Sequence, residues 1–244
     1  MKWYRGAQGD QRIWLEPAEI ELTAEDELKK AGLLPAADKP VTDLERFVEG
    51  YLDATLDQYA DLDPDVLGLT QFDTGKRPAI SLNRDLTGSA LDSEGARPSL
   101  VGRWRATLAH EASHVLFHRI LFELDLDQGS LFPEPEPRSE PQGLMRCLKR
   151  EVGYTTRAHD WREVQANRGM AALLLPRKVF QTVVLAETAE LGFPADDLRI
   201  GTEPTNLLVD RLSERFAVSK QAASIRLATL GLVTTAGVVT LPLP

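Results

Sequence analysis

His110-Glu111-Ala112-Ser113-His114 is the stretch on which the reading of this chain turns. It is an instance of H-E-x-x-H. On a helix, residues four apart project about 40° from each other and rise about 6 Å, so His110 and His114 share one face. Two imidazoles so placed can grip one zinc ion, and the intervening Glu111 lies close enough to take a proton from a metal-activated water. The flanks suit the helix this needs. Pro98-Ser99 stands at a plausible start, and Trp104, Leu108, Val115 and Leu116 form an apolar side.

A catalytic zinc needs a third protein ligand and one open position. His118 is the nearest candidate, but it lies about 12 Å along the axis from His110. Ligands of one ion sit within about 4 Å of each other, which a straight helix does not allow this pair. The longer pattern H-E-x-x-H-x-x-G-x-x-H also fails, since Phe117 and Ile120 stand where it needs glycine and histidine. His118 is therefore expected to be structural, closing the end of the helix. Glu163 opens Glu163-Val164-Gln165-Ala166-Asn167, in which Glu163 and Asn167 share a helix face. One can bind the metal while the other steadies a ligand histidine. The alternative for Glu163 is that it completes a capping box with Asp160.

HEASH followed by EVQANRGMAALLLP resembles the ImmA/IrrE family of zinc metallopeptidases, whose second block reads E-x-x-A-N-x-x-A-x-x-L-L-x-P. The lead-in VLGLTQFD…AISLNRDL and the tail RFAVSKQAASIRLATLGL are also similar to it, so the resemblance spans about residues 41–232. It implies an α+β, minimal thermolysin-like (gluzincin) peptidase domain with a small antiparallel sheet and a helix-turn-helix-like C-terminal extension. It implies Zn2+ held by His110, His114 and Glu163 with Glu111 as catalytic base, so that of the pair on the second helix face Asn167 is left to steady a ligand histidine. It also implies a protein substrate, a helix-turn-helix repressor acting in stress responses or mobile-element control. The chain departs from the pattern at Gly169, where an aromatic is common, at Met170, where alanine stands, and in a long Pro/Glu loop between the motifs. A tetrahedral oxyanion needs a further donor, for which His159 and Tyr154 are the candidates nearest Glu163 in sequence. Cys147 is expected to be a small buried residue rather than a ligand. Trp161 is expected to pack at the helix entrance.

Composition narrows the field. With 28 basic and 37 acidic residues and a net charge of −9, the chain is a poor general binder of nucleic acid or anionic membrane. One cysteine allows no internal disulfide and suits a reducing cytoplasm. MKWYRGAQGDQR lacks the apolar core of a secretory leader, and no apolar run is long enough for a transmembrane helix.

Three segments are expected: an N-terminal extension (1–40), a peptidase domain (41–200) and a helical C-terminal segment (201–244). Thr23 to Asp26 would cap a short helix ending near Gly32. Thr42-Asp43-Leu44-Glu45 opens an amphipathic helix. Residues 56–59, 66–72 and 79–83 read as strands, the last two joined by a hairpin turn. A polar loop (84–98) leads into the HEASH helix, and four prolines mark 125–143 as a surface loop. Leu144 to Val152 reads as a strand or turn. Helices follow from Asp160 to before Pro176, from Arg177 to Gly192, and over about 205–216 and 220–230, with Ser219 as an N-cap. Arg211, Arg215, Lys220 and Arg226 on the last pair could touch DNA, but Asp210 and Glu214 dilute their charge, so partner docking or packing is preferred. The competing function is a non-enzymatic, zinc-stabilised DNA- or protein-binding regulator. Glu111 argues against it, since a structural site needs no base, and such sites usually take four protein ligands. A hydrolase acting on another bond is a third reading.

Overall fold

The computed structural model describes residues 2–5, 11–73, 75–93, 97–127, 144–148, 160–194 and 198–234. The class is α+β, as expected. Strands β1 (Lys2–Arg5) and β2 (Gln11–Trp14) form an antiparallel pair, followed by helix α1 (Pro17–Lys30). A short helix α2 (Leu44–Arg46) continues as a π-helical turn (Phe47–Tyr51). Strands β3 (Thr55–Ala60), β4 (Val66–Gln71), β5 (Ala79–Asn83) and β6 (Leu144–Leu148) make one sheet in the order β3-β5-β4-β6. Helix α3 (Arg84–Thr87) and a second π turn (Gly88–Asp92) precede α4 (Pro98–Asp127). After β6 come α5 (Trp161–Leu174), α6 (Arg177–Leu191), α7 (Glu203–Phe216) and α8 (Lys220–Thr229). Among the described residues no single helix is long and apolar enough to cross a membrane.

Helix α4 is the axis of the molecule. Residues 107–115 are buried without interruption, which an amphipathic surface helix would not allow. One side faces β4, β5 and β6, and another faces α5. Leu67, Ile80, Leu82, Leu108, Ala112, Met170 and Leu173 meet in the core between them.

The sheet is mixed rather than purely antiparallel. Hairpin strands β4 and β5 pair antiparallel, and β6 pairs antiparallel on the outer side of β4. But β3 lies beside β5 and runs parallel to it. The turn into β4 reverses the chain once and the hairpin reverses it again, so β5 returns in the direction of β3.

Four other expectations need correction. Helix α1 begins at Pro17, six residues before Thr23, because Glu16 and Glu19 form a reciprocal capping box and proline suits the first helical position. Residues 13–28, set apart in the sequence as an extension, contribute buried Ile13, Leu15, Ile20, Ala24 and Leu28. The expected loop at 84–98 contains α3, capped by the Asn83 side chain, which accepts from the Asp85 backbone N–H. Helix α4 runs on to Asp127, into the segment expected to be a loop. The rest of the Pro/Glu loop, 128–143, lies outside the described residues.

Helices α5 and α6 bend by 52° at the break before Pro176. Proline has no N–H, so carbonyls at the end of α5 need other partners. Thr42 Oγ1 donates to Leu173 O at 2.8 Å, and the Arg226 guanidinium donates to Leu175 O while pairing with Glu21. On the far side of the break, Glu25 accepts from the Lys178 backbone N–H and caps α6. Elements far apart in sequence thus hold the end of the helix that carries Glu163.

Candidate metal centre

His110 and His114 stand one turn apart on α4, and Glu163 reaches them from the first turn of α5. His110 Nε2 and His114 Nε2 are 3.1 Å apart. Glu163 Oε2 lies 3.1 Å from His110 Nε2, and Glu163 Oε1 lies 3.4 Å from His114 Nε2. The three groups offer one ligand atom each, all within 4.8 Å of one another. Tetrahedral ligands at about 2.0–2.1 Å from one ion are separated by about 3.3 Å, so these spacings suit a shared metal. The donor set, two imidazole nitrogens and one carboxylate, is of the kind that leaves a catalytic zinc one open position. Both histidines are buried, whereas the Glu163 side chain is 15% exposed, so solvent reaches the group from the α5 side.

Close helix packing makes this reach possible. A Cβ added at Gly169 would lie 2.5 Å from the Phe117 ring and 2.6 Å from Ser113 Oγ. Only glycine lets α5 approach α4 so closely at this position. Ser113 donates to Ala109 O of its own helix and asks nothing of α5.

Glu111 is fully buried on α4 and faces β4. Thr70 Oγ1 donates to Glu111 Oε2, while Glu111 Oε1 is buried with no hydrogen-bond partner. Gly68 of β4 leaves room for it, since a Cβ there would come within 2.7 Å of Oε1. Burial pushes the Glu111 carboxyl up to about 7, helped by Glu163 and opposed by His110 and the Thr70 hydrogen bond. Burial works against charge on His110 too, but the Glu163 hydrogen bond and the nearby carboxylates outweigh it and raise its pKa. Burial holds His114 well below the ordinary histidine range, and the neighbouring His110, His118 and Arg162 act in the same direction.

Asn167, one turn after Glu163 on α5, acts in the same direction as the carboxylates in raising the His110 pKa. His118 is structural in the sense that it stands outside the ligand group. It does not close a helix end, because α4 continues for two more turns beyond it. Its Nδ1 lies 3.0 Å from His114 Nδ1, and burial lowers its pKa to about 4. Trp161 packs at the start of α5, edge-on to the His118 ring at 5.6 Å. Cys147 sits on β6, where its backbone is opposite Gly68; its side chain lies outside the description. Tyr154 and His159, the candidate oxyanion donors, lie outside the described residues.

Sequence reasoning missed Thr70, Gln165 and Gly68. Gly68 carried a usable signal, because a glycine inside a strand marks a close approach. Thr70 carried none, since threonine is an ordinary strand residue.

No family model matches the chain, and no relative is found among curated proteins. The centre therefore rests on its own geometry.

Proposed function

We propose that this chain is a zinc-dependent endopeptidase of thermolysin-like, gluzincin arrangement, similar to the ImmA/IrrE family, that cleaves a regulatory protein of the helix-turn-helix repressor type. One observation carries the proposal: His110, His114 and Glu163 converge on one point, with the unpartnered Oε1 of Glu111 on the same helix turn. The residues fit zinc in donor type, spacing and burial. A zinc ion held there supplies a Lewis acid that acidifies water and polarises a carbonyl.

The chain's own groups supply the rest. Thr70 fixes Oε2 of Glu111, which leaves Oε1 as the atom that takes up and returns a proton. A buried carboxylate one residue from His110, with one oxygen free of partners, is placed to exchange that proton. A purely structural site would have no use for a buried carboxyl kept short of partners, which favours the enzyme over a zinc-stabilised regulator. The cations of the last two helices argue against DNA binding, because each already pairs with a carboxylate of the chain. Arg211 pairs with Glu187 and Glu190, Arg215 with Glu187, Lys220 with Asp210 and Arg226 with Glu21.

The test is co-expression with a helix-turn-helix repressor encoded beside this chain, followed by mass analysis of fragments. We expect one zinc per chain by elemental analysis, and cleavage that Glu111→Gln abolishes without loss of zinc. Wild-type protein that takes up no zinc overturns the proposal. Wild-type cleavage by Glu111→Gln removes Glu111 from the reaction.

A further inference from the structure

Behind the metal-facing edge of His114 runs a chain of hydrogen bonds that the proposed chemistry does not use. His114 Nδ1 lies 3.0 Å from His118 Nδ1, and His118 Nε2 lies 3.2 Å from Gln165 Oε1. Gln165 Nε2 donates to the backbone oxygen of Ile13 at 2.8 Å. His114, His118 and Gln165 are all buried, so water does not stand in for a missing partner. Ile13 belongs to β2, at the other end of the sequence.

The far end of this chain dictates where its protons sit. A backbone carbonyl only accepts, so Gln165 must turn its nitrogen toward Ile13 and its oxygen toward His118. An amide oxygen also only accepts, so His118 Nε2 carries the hydrogen. The other nitrogen of the neutral ring, Nδ1, is then a lone pair facing His114. His114 Nδ1 must therefore donate, which leaves His114 Nε2 as the lone pair. That atom is the one facing His110 and Glu163. The reversed arrangement would set the Gln165 oxygen against the Ile13 oxygen and place a hydrogen on His114 Nε2, among the ligand atoms.

The geometry points to His118 and Gln165 as positioning residues, which pass the direction of the Ile13 carbonyl to His114 and hold it in the tautomer that can donate Nε2 to a metal. This rests on the metal reading of His110, His114 and Glu163. Partners that orient ligand histidines typically contribute 10–100-fold in metal affinity. The consequence for the fold is that β2 is part of the centre's support.

Two measurements on the full chain test it. With histidine ring nitrogens labelled, long-range proton–nitrogen correlation of the metal-free protein should show hydrogen on Nε2 of His118 and on Nδ1 of His114. Hydrogen on Nδ1 of His118 overturns the relay. Zinc affinity, read by competition with a chelator, should fall about 10–100-fold in Gln165→Met, which fills the space without an acceptor. Gln165→Glu, whose buried carboxyl stays protonated, donates its O–H to Ile13 O and keeps an acceptor for His118, so it should recover most of that loss. Unchanged affinity in Gln165→Met, or equal loss in both variants, overturns the positioning role. If the wild type takes up no zinc, the metal reading fails, and the ring tautomers still decide the relay.

Discussion

Around α4, Glu111 keeps a buried oxygen without a partner on the β4 side, while three ligand atoms crowd around one point on the α5 side. On α7 and α8, Arg211, Arg215, Lys220 and Arg226 each rest against a carboxylate. Both regions are rich in charge, yet only the first is left incomplete. Buried polar groups are almost always satisfied, and an exception that stands beside three converging ligand atoms is one that chemistry can use. The C-terminal pair spends its cations on internal contacts, chief among them Arg226, which is 2% exposed and ties α8 to α1 and to the end of α5.

The contrast can be broken most directly at Glu163. Glu163→Ala removes one of three ligand atoms while leaving the helix intact, since alanine is a strong helix former. One-to-one zinc uptake should be lost at concentrations that load the wild type fully. Elemental analysis of chelator-treated protein checks this, and unchanged zinc affinity would remove Glu163 from the centre.

The incomplete satisfaction of Glu111 should also be visible as pH-dependent stability of the metal-free protein. Folding raises its pKa from 4.5 to about 7. Below pH 4.5 the carboxyl is protonated in folded and unfolded chains alike. As pH rises toward 7 the unfolded chain ionises first, so stability falls, by about 3 kcal/mol in all. His118, lowered from 6.5 to about 4, acts in the opposite sense over nearly the same window. The difference between wild type and Glu111→Gln cancels the His118 contribution. Denaturant melts of both should diverge between pH 4.5 and 7, with the wild type losing stability relative to the variant.

A smaller effect is expected at the helix contact. Gly169→Ala places a methyl against Phe117 and the Cβ of Ser113, and should destabilise by about 1–3 kcal/mol. Because the two helices carry the ligands, zinc affinity should fall with it. A stable variant with wild-type zinc binding would show that the contact is not what holds Glu163 in place.

The smallest effect belongs to the C-terminal pair. Arg211→Gln combined with Lys220→Gln removes the exposed Arg211–Glu190 and Lys220–Asp210 pairs, which are individually weak, and leaves Arg215 to pair with buried Glu187. Zinc content and melting temperature should not change. Tight, salt-sensitive DNA binding by the wild type that this variant loses would break the contrast, since those cations would then have a partner outside the chain.

The local parts of the molecule were legible in sequence wherever a short stretch carries its own instructions. H-E-x-x-H sets a helical spacing, Asp160 and Ser219 are N-caps that accept from nearby backbone N–H groups, and Gly192 takes positive φ at a helix end. The pairing of β4 with β5 follows from two apolar runs and a turn. The early start of α1 was misread because a glutamate cap is a weaker signal than the threonine that follows it. Helix α3 was missed because its asparagine cap, Asn83, was read only as the last residue of a strand.

By itself, then, the sequence determined which residues could share a helix face: His110 with His114, and Glu163 with Asn167. Those relations depend only on helical pitch. Tertiary structure alone decided that the two faces meet. It also brought Thr70 and Gly68 to Glu111 and carried the Ile13 carbonyl to Gln165. Such contacts join residues 41 to 152 positions apart, and they follow from how whole helices and strands pack. The depth of burial that shifts Glu111 to about 7 is likewise a property of the packed core, for which no local pattern of residues is a sufficient cue.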